Sequence, residues 1–235
     1  MEGTNQIVLL NKLLMEELDF YKGMTTTELK EKLSIERQSK NINAVIFQRI
    51  ISNSKKKGKI DILMNHCKCI VKTVNLEWNN NLKESMSLNV FKYCDIVAEE
   101  WESSTLRDYF LNNIFVFVVL KKDYNDSKLI DIKLWKMPLS ILDSSVKDTW
   151  LLTQELIKKG KIVNYIDNRG RNITYFPTSS ETKYIHVRPH AQNANDALPL
   201  PVEDKVTHKN FFTKHSFWLN SSFVKKIVVE DRYYD

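Results

Sequence analysis

The sequence predicts a mixed α/β protein, and three observations support this fold class. Apolar residues recur at helical spacing through the first sixty residues, whereas beyond them the spacing changes to the alternation of strands. The apolar run from Ile114 to Leu120 is too short to cross a bilayer and is typical of a buried strand. Residues 141–160 return to helical spacing, so we expect a mixed central sheet flanked by helices, with a helical N-terminal part.

The N-terminal part is predicted to contain three helices. The first covers about Gln6 to Lys22 and ends before a glycine. The second covers TTTELKEKL, in which Thr25 and Glu28 have the spacing of a capping box. The third covers NINAVIFQRIISN, and residues 55–59 (KKKGK) after it are predicted to form a basic turn.

Strands and turns are predicted for much of the remainder. CKCIVKTVNL and SMSLNVF are strand candidates, and EEWESSTLRDYFLN has a helical pattern. IFVFVVLKK, the turn DYNDSK and LIDIKLWKM predict a hairpin that Pro138 ends. The long amphipathic helix over residues 141–160 stops at Gly160, and IDNRGRNITYF predicts a turn between two short strands.

The segment KYIHVRPHAQNANDALPLP, at residues 183–201, begins with the alternation of a strand. One predicted face carries three rings and a guanidinium, from Tyr184, His186, Arg188 and His190. Ile185 and Val187 point to the other face. A loop with two prolines follows, and then the segment SFWLNSSFVKKIVVE.

Composition limits the class of protein. The net charge of +6 and the pI of about 9.0 favour a polyanionic partner, although many basic proteins bind nothing acidic. Three cysteines in 235 residues do not make a disulfide framework, and MEGTNQ is too polar to begin a signal peptide, so we expect a cytoplasmic protein without a membrane segment. We expect one domain over residues 1–235, with a helical part at 1–60 and a mixed core at 61–235.

Short patterns for a catalytic metal are present but weak. Nucleases that use Mg²⁺ commonly combine an Asp with an Asp/Glu-x-Lys on the next strand. The pattern matches three times, at Asp19 with Glu28 and Lys30, at Asp126 with Asp131 and Lys133, and at Asp167 with Glu181 and Lys183. A capping role is preferred for Glu28 and a solvated face for the second set, while the third set flanks the predicted strand in residues 183–201 and remains a weak match.

Other site chemistries have little support in the sequence. His66, Cys67 and Cys69 form a partial zinc set, but no second pair of ligands has the right spacing, and two buried thiols are the preferred interpretation. With five glycines in the chain, no glycine-rich phosphate loop is present. We therefore expect no metal site.

Three stretches together resemble one family. IVKTVNL at 70–76, HVRPHAQNA at 186–194 and KHSFWLNSSFVKKI at 214–227 resemble the MutH mismatch-repair endonuclease and the related GATC-cutting type II restriction enzymes. KESMS, EEWE, FVFVV and MP extend the likeness over essentially the whole chain. The likeness is greatest to the non-catalytic effector half of a family member built from two MutH-like halves. The resemblance implies a MutH-like restriction-endonuclease fold.

The chain departs from the family at its catalytic positions. Where the family has Glu-x-Lys, this chain has Ile70 and Val71 before Lys72, so only the lysine remains. Leu63 stands at the family's Asp position and Gln48 at the position of its helix Glu. Because Mg²⁺ needs anionic oxygens, the resemblance implies no intrinsic cleavage, no catalytic residue beyond the remnant Lys72 and no cofactor.

Two points on this alignment stay open. Gln48 falls on the family's Glu when Lys40 is aligned with the family's helix lysine. A shift of one or two residues would bring Asp61 to the family's Asp position without restoring the Glu.

The recognition stretch implies a set of DNA-binding residues. Arg188 is the best candidate for reading a base, because a bidentate arginine on guanine O6 and N7 is the commonest specific contact. Pro189 fixes the chain direction, His190 is a donor to a base or phosphate, and Asn193 is a candidate reader of adenine. For Arg188, the structural alternative is a surface salt bridge.

The C-terminal stretch adds further candidates. Trp218 falls at the family's aromatic position near the bound site, and a place in the core is its structural alternative. Asn220 lies in the same motif. Lys225 and Lys226 are candidate phosphate contacts, as is Lys72.

The sequence thus leads to one preferred function and two alternatives. The preferred one is a catalytically silent domain that binds duplex DNA, with GATC as the expected sequence, and whose partner is a catalytic MutH-like domain or subunit. The first alternative is an active nuclease that binds Mg²⁺ through a carboxylate set such as Asp167 and Glu181. The second is a protein-interaction module that shares only the fold.

Overall fold

The computed structural model describes residues 2–36 and 41–232, so Lys40 lies outside the described residues. The helices are α1 (Glu2–Asp19), α2 (Thr26–Lys32), α3 (Ile42–Asn53), α4 (Lys57–His66), α5 (Tyr93–Ala98), α6 (Thr105–Asn112), α7 (Leu139–Ile141), α8 (Lys147–Lys158) and α9 (Ser221–Val228), with a 3₁₀ turn at Trp101–Ser103 and a π-helical turn at Leu142–Val146. The strands are β1 (Cys69–Leu76), β2 (Met86–Val90), β3 (Ile114–Asp123), β4 (Asp126–Trp135), β5 (Val163–Ile166), β6 (Asn172–Thr174), β7 (Ile185–Pro189), β8 (Ala197–Pro199), β9 (Phe211–Thr213) and β10 (His215–Leu219).

The chain groups into two compact units, each built from several segments. The first unit comprises Met1–Lys83, Phe110–Met137 and Lys225–Asp235, and the second comprises Glu84–Tyr109 and Pro138–Val224. The boundary between these units therefore differs from the predicted boundary at residue 60 between a helical part and a mixed core. The physical reason is that the N-terminal helices need an apolar sheet face to cover, and the predicted hairpin supplies it. The single domain over 1–235 stays a prediction.

The first unit is a three-stranded sheet with helices on one face. Its strand order is β1-β3-β4, with β1 parallel to β3 and the β3–β4 pair antiparallel, as the predicted hairpin requires. Val116 and Val118 of β3 join the buried side chains of α1 to α4 in one apolar cluster. Phe115 and Phe117 alternate with them and stack with ring centroids 5.8 Å apart.

The N-terminal helices form largely as predicted. Thr25 and Glu28 make the predicted capping box, with the Thr25 N–H donating to Glu28 Oε2 at 2.7 Å. The basic turn predicted at residues 55–59 is shorter than expected, because Lys55 and Lys56 form a turn and α4 begins at Lys57. Ile60 and Leu63 of α4 are buried, so the packing of this face outweighs the low helix propensity of Gly58.

The second unit contains the other long sheet and two short hairpins. Its sheet has the order β2-β10-β7 with both pairs antiparallel, and β5–β6 and β8–β9 form the hairpins. The helix predicted for residues 141–160 is interrupted by the π-helical turn, in which the Ser144 hydroxyl donates to Ser140 O at 2.6 Å. Gly160 has φ +62°, and a Cβ there would lie 2.4 Å from Glu203 O, which accounts for the glycine.

Within the described ranges, no helix combines the length and apolar character needed to cross a membrane.

Candidate nucleic-acid interface

The strand pair β7–β10 places the predicted recognition residues on one face of the second unit's sheet. Arg188 lies opposite Ser216, and His186 lies opposite Trp218. Because opposite residues share a face, these four side chains lie on the same side. Burial varies along it, since His186 is 4% exposed whereas Arg188 is an exposed residue. The predicted alternation holds, but only its C-terminal end faces solvent.

The Arg188 guanidinium is held by a ring and not by an acid. Its Cζ lies 4.6 Å from the centroid of the Trp218 ring, which is the geometry of a cation–π contact. Within residues 2–36 and 41–232, the guanidinium makes no hydrogen bond or ion pair. The salt bridge considered as its structural alternative is therefore not formed there. The N–H groups of the Arg188 guanidinium therefore remain available to two acceptors that lie side by side in one plane.

Trp218 contacts the Arg188 guanidinium and the His190 ring, and it is half-buried. The His190 ring centroid is 5.5 Å from that of Trp218, and Arg188 stacks on it as well. The Trp218 Nε1–H is buried and has no acceptor among the described residues. Trp218 is thus a support for Arg188 and His190, and it is less deeply buried than a core tryptophan such as Trp150, which is 1% exposed.

His190 follows the strand directly and makes two hydrogen bonds, one to Lys214, which precedes β10, and one to Ser216 of β10. Its backbone N–H donates to Lys214 O at 2.8 Å, and its Nδ1 lies 2.8 Å from Ser216 Oγ. Pro189 is the last residue of β7 and lies opposite His215. The proline ring fixes φ at this point, so the turn into the loop begins from a defined direction.

The loop after His190 is ordered by one acidic residue that the sequence analysis did not identify. Asp196 accepts hydrogen bonds from Gln192 N at 3.1 Å and from Lys214 Nζ at 2.5 Å. The hydrogen bond from Lys214 holds the pKa of Asp196 below its usual range. Asn193 is exposed, and its Oδ1 accepts from Asn195 N at 2.9 Å, which leaves its Nδ2 donor free of any contact that the described residues make.

Asn220 has a structural role, and its assignment as a DNA-binding residue is corrected here. It is 2% exposed, and its Nδ2 donates to Thr182 O at 2.7 Å. This fixes the amide so that Oδ1 accepts from His186 Nδ1 at 2.5 Å. Burial lowers the pKa of His186, although the bond to Asn220 opposes the effect. Both polar groups of Asn220 are therefore used within the protein.

Lys225 and Lys226 lie on the part of α9 that belongs to the first unit. Lys225 Nζ donates to Asn81 Oδ1 at 2.8 Å, and both lysines are half-buried. An ammonium has three donors, so this bond still leaves Lys225 able to contact a phosphate.

The predicted remnant of a catalytic site does not come together as a metal site. Ile70 and Lys72 lie opposite Phe115 and Phe117 on one face of the first unit's sheet, and burial lowers the pKa of Lys72. Leu63 is 7% exposed and belongs to the helical cluster on the other face. The Gln48 side chain is exposed on α3, and Asp61 is half-buried on α4.

The alternative carboxylates have local structural partners. Glu28 caps α2, and Asp126 accepts from Thr27 N at 2.9 Å. Asp167 accepts from Arg171 Nε at 2.8 Å, and Glu181 accepts from Thr178 N at 2.8 Å. In the part of the chain that the structure describes, no group of three His, Cys, Asp or Glu side chains could hold a metal ion.

The cysteines near β1 have the character of thiols and not of metal ligands. Cys67 and Cys69 are half-buried and free, while His66 is exposed. Burial raises the pKa of Cys69 to about 12, so its thiol stays protonated at neutral pH.

Comparison with known proteins gives one relationship. No protein-family model matches the chain. The chain is 28% identical over 250 residues to the type II restriction enzyme Sau3AI of Staphylococcus aureus. The match covers 93% of this chain and 51% of that enzyme, so the chain spans about half the length of this curated relative. The resemblance to restriction endonucleases is confirmed, and so is the α/β fold class.

Proposed function

With the likeness to a type II restriction enzyme as the premise, we propose that this chain binds duplex DNA at GATC as the non-catalytic effector part of such an enzyme. Its partner in this proposal is a catalytic MutH-like domain or subunit. DNA bound by this chain raises the affinity or activity of the catalytic part for a second DNA copy. By linkage, DNA bound at the catalytic part strengthens binding here by the same factor.

The observation that carries the proposal is the exposed Arg188 guanidinium stacked on Trp218. An arginine that makes no hydrogen bond to its own described residues, and whose guanidinium lies against a ring, is pre-organised for the O6 and N7 acceptors of guanine. Asn193 offers an amide to adenine, and Lys225 and Lys226 offer charge to the backbone. Phosphate contacts of this kind position a protein but carry no sequence information.

The absence of cutting is proposed from the residues of the first unit. Ile70 and Leu63 have no oxygen ligands, and their side chains lie on opposite faces of the sheet. Gln48 is neutral and exposed. A Mg²⁺ ion needs several oxygen ligands that converge, and hydrolysis of a phosphodiester without the ion loses its main electrostatic stabilisation. We therefore expect no cofactor for this chain.

The first test compares a duplex that contains one GATC with a scrambled duplex. Both are titrated in a gel-shift assay with Mg²⁺ at near-physiological salt, and the DNA is then run on a denaturing gel. The proposal expects tighter binding of the GATC duplex with intact strands. Cleaved strands contradict the non-catalytic assignment, and equal binding of the two duplexes contradicts the sequence assignment.

Arg188→Ala is the variant that tests the carrying observation. We expect the affinity for the GATC duplex to fall by about tenfold or more, because a bidentate contact to guanine is lost, while the scrambled duplex is affected much less. Arg169→Ala is the matched control, since it removes the same charge from another exposed position of the second unit. An equal loss in both variants would mean that Arg188 supplies only charge.

A further inference from the structure

From the contact between Ser216 and His190 we infer that Ser216 determines specificity by holding His190 in the Nε2–H tautomer. In this form His190 presents a hydrogen-bond donor to an acceptor on the edge of a base. The inference rests on the proposed function, which supplies the DNA, and it adds a residue that neither the motifs nor the comparison identified.

Ser216 is fully buried in the middle of the second unit's sheet. It is 0% exposed, and its backbone lies opposite Arg188 of β7 and Val90 of β2. Its hydroxyl has one partner among the described residues, which is His190 Nδ1 at 2.8 Å. A buried hydroxyl hydrogen without an acceptor is unfavourable. The hydroxyl therefore donates to Nδ1, and Nδ1 is the unprotonated nitrogen of the ring.

The consequence for the rest of the ring follows from the chemistry of imidazole. A neutral histidine carries one N–H, so an accepting Nδ1 places the proton on Nε2. His190 is exposed, and its Nε2 makes no hydrogen bond within the described ranges. The Trp218 ring, 5.5 Å away between centroids, limits the orientations of the imidazole. Nε2–H is thus the donor of the His190 ring, and the Trp218 ring restricts the direction in which it points.

His186, which lies within β7 four residues before His190, shows the opposite arrangement. Its Nδ1 donates to Asn220 Oδ1, because Asn220 Nδ2 is already committed to Thr182 O. His186 therefore holds the Nδ1–H tautomer, and it is buried. The two histidines of β7 and its end are set by different partners to different tautomers, which supplies an internal reference for an experiment.

A donor at Nε2 distinguishes between base edges in the major groove. Guanine O6 and N7, adenine N7 and thymine O4 are acceptors, whereas the amino groups of cytosine and adenine are donors. His190 in this tautomer favours the acceptors and disfavours the amino groups. Arg188 lies two residues earlier, so the pair would contact neighbouring acceptors of a short sequence.

The first arm of the test measures the tautomers without DNA. The ¹⁵N-labelled chain is studied by histidine side-chain ¹⁵N–¹H correlation at a pH where exposed histidines are neutral. We expect protonated Nε2 for His190 and protonated Nδ1 for His186, and Ser216→Ala is expected to shift only His190 towards a mixture. A wild-type His190 protonated at Nδ1 overturns the inference, and so does an unchanged His190 in the variant.

The second arm measures discrimination between duplexes. We expect Ser216→Ala to reduce the ratio of affinities for the GATC and scrambled duplexes by about tenfold, while the affinity for the scrambled duplex stays the same. Ser104→Ala is the matched control, because Ser104 is also 0% exposed in the second unit and donates to Trp101 O at 2.9 Å. A similar loss on both duplexes overturns the inference, since it indicates a phosphate contact or a general structural effect.

If Ser216→Ala does not fold, a variant of the exposed His190 replaces it in the binding assay. His190→Ala is expected to lower the same ratio by about tenfold and to leave folding intact. If the wild-type chain and His190→Ala prefer the GATC duplex over the scrambled duplex to the same extent, the inference is overturned, while the proposed function stands. A wild-type chain that binds both duplexes equally overturns the proposed function and, with it, the role of Ser216 in specificity. If the first arm has nevertheless found the expected tautomers, the failure lies in DNA recognition and not in the Ser216–His190 hydrogen bond.

Discussion

The two strands that carry the family motifs, β1 of the first unit and β7 of the second, differ in what they expose. In β1, Ile70 and Lys72 are half-buried beside aromatic residues of β3. In β7, Arg188 is exposed and stacks on Trp218. The β1 positions are packed against rings, whereas the Arg188 charge of β7 lies at the surface.

This difference shows why binding and cutting are separable in such a fold. A Mg²⁺ site needs several carboxylates to converge, and the loss of one of them removes most of its affinity for the ion. Recognition by a guanidinium needs one exposed side chain and a support for its plane. In β1, an apolar residue gains packing energy that a buried carboxylate would not have. Under the proposed function, the first unit can therefore lack the chemistry while the second carries recognition.

The largest expected effect comes from returning carboxylates to the first unit. The double variant Leu63→Asp, Ile70→Glu is expected to lose about 4 kcal/mol of stability, because a carboxylate at position 63 enters the apolar helical cluster. It is not expected to cleave DNA with Mg²⁺, since the two positions lie on opposite faces of the sheet. Urea denaturation and a cleavage assay measure the two outcomes.

The neighbouring residue provides the control for this prediction. Ile62 is 70% exposed, so Ile62→Asp on the same helix is expected to change stability by less than about 0.5 kcal/mol. A folded double variant that cuts DNA would show that the catalytic positions converge after all, and the contrast between the two strands would no longer hold.

The secondary structure and the face of β7 were predictable because they depend on local periodicity. The capping box of Thr25 and Glu28 and the alternation of Ile185 with its neighbours required only nearby residues. The roles of Asn220 and Ser216 could not be predicted, because their partners His186 and His190 lie 34 and 26 residues away. The pairing of β7 with β10 brings the partners together, and the spacing of residues along the sequence does not predict which residues will pair.

The helices that were missed have a similar cause. The helices α4 and α5 were not predicted from the sequence, and both depend on the burial of residues such as Ile60 and Tyr93, which is decided by tertiary packing. Gly58 in KKKGK has a low helix propensity, and the burial of the apolar face that follows outweighs it. The loop after His190 likewise depends on Asp196 and Lys214, whose ion pair has no signature in the sequence.

The second expected effect is a dependence of stability on pH, which we expect from a buried histidine of the second unit. His215 is 1% exposed beside Phe176 and Phe212, and burial lowers its pKa from 6.5 to about 4. Between these values the unfolded chain binds a proton that the folded chain does not. Stability is therefore expected to fall as the pH decreases from about 6.5 towards 4, by at most about 3 kcal/mol.

A substitution attributes this pH dependence to the second unit. His215→Phe removes one titrating ring and is expected to reduce the slope of the stability profile between pH 6.5 and 4 in urea denaturation, while buried His186, whose pKa is also lowered, keeps part of it. The helical cluster of the first unit is apolar and offers no such group. An unchanged profile in His215→Phe would assign the acid sensitivity to other residues.

The smallest expected effect tests whether Trp218 supports Arg188 or only fills space. Trp218→Leu removes the ring under the guanidinium, so the affinity for the GATC duplex is expected to fall about fivefold, in line with a cation–π contact. Trp78→Leu is the matched control in the first unit, where an exposed tryptophan has Lys122 Nζ 6.0 Å from its ring centroid. Fluorescence anisotropy at constant salt measures both variants. A loss in Trp78→Leu equal to that in Trp218→Leu would place recognition in both units and remove the contrast between β1 and β7.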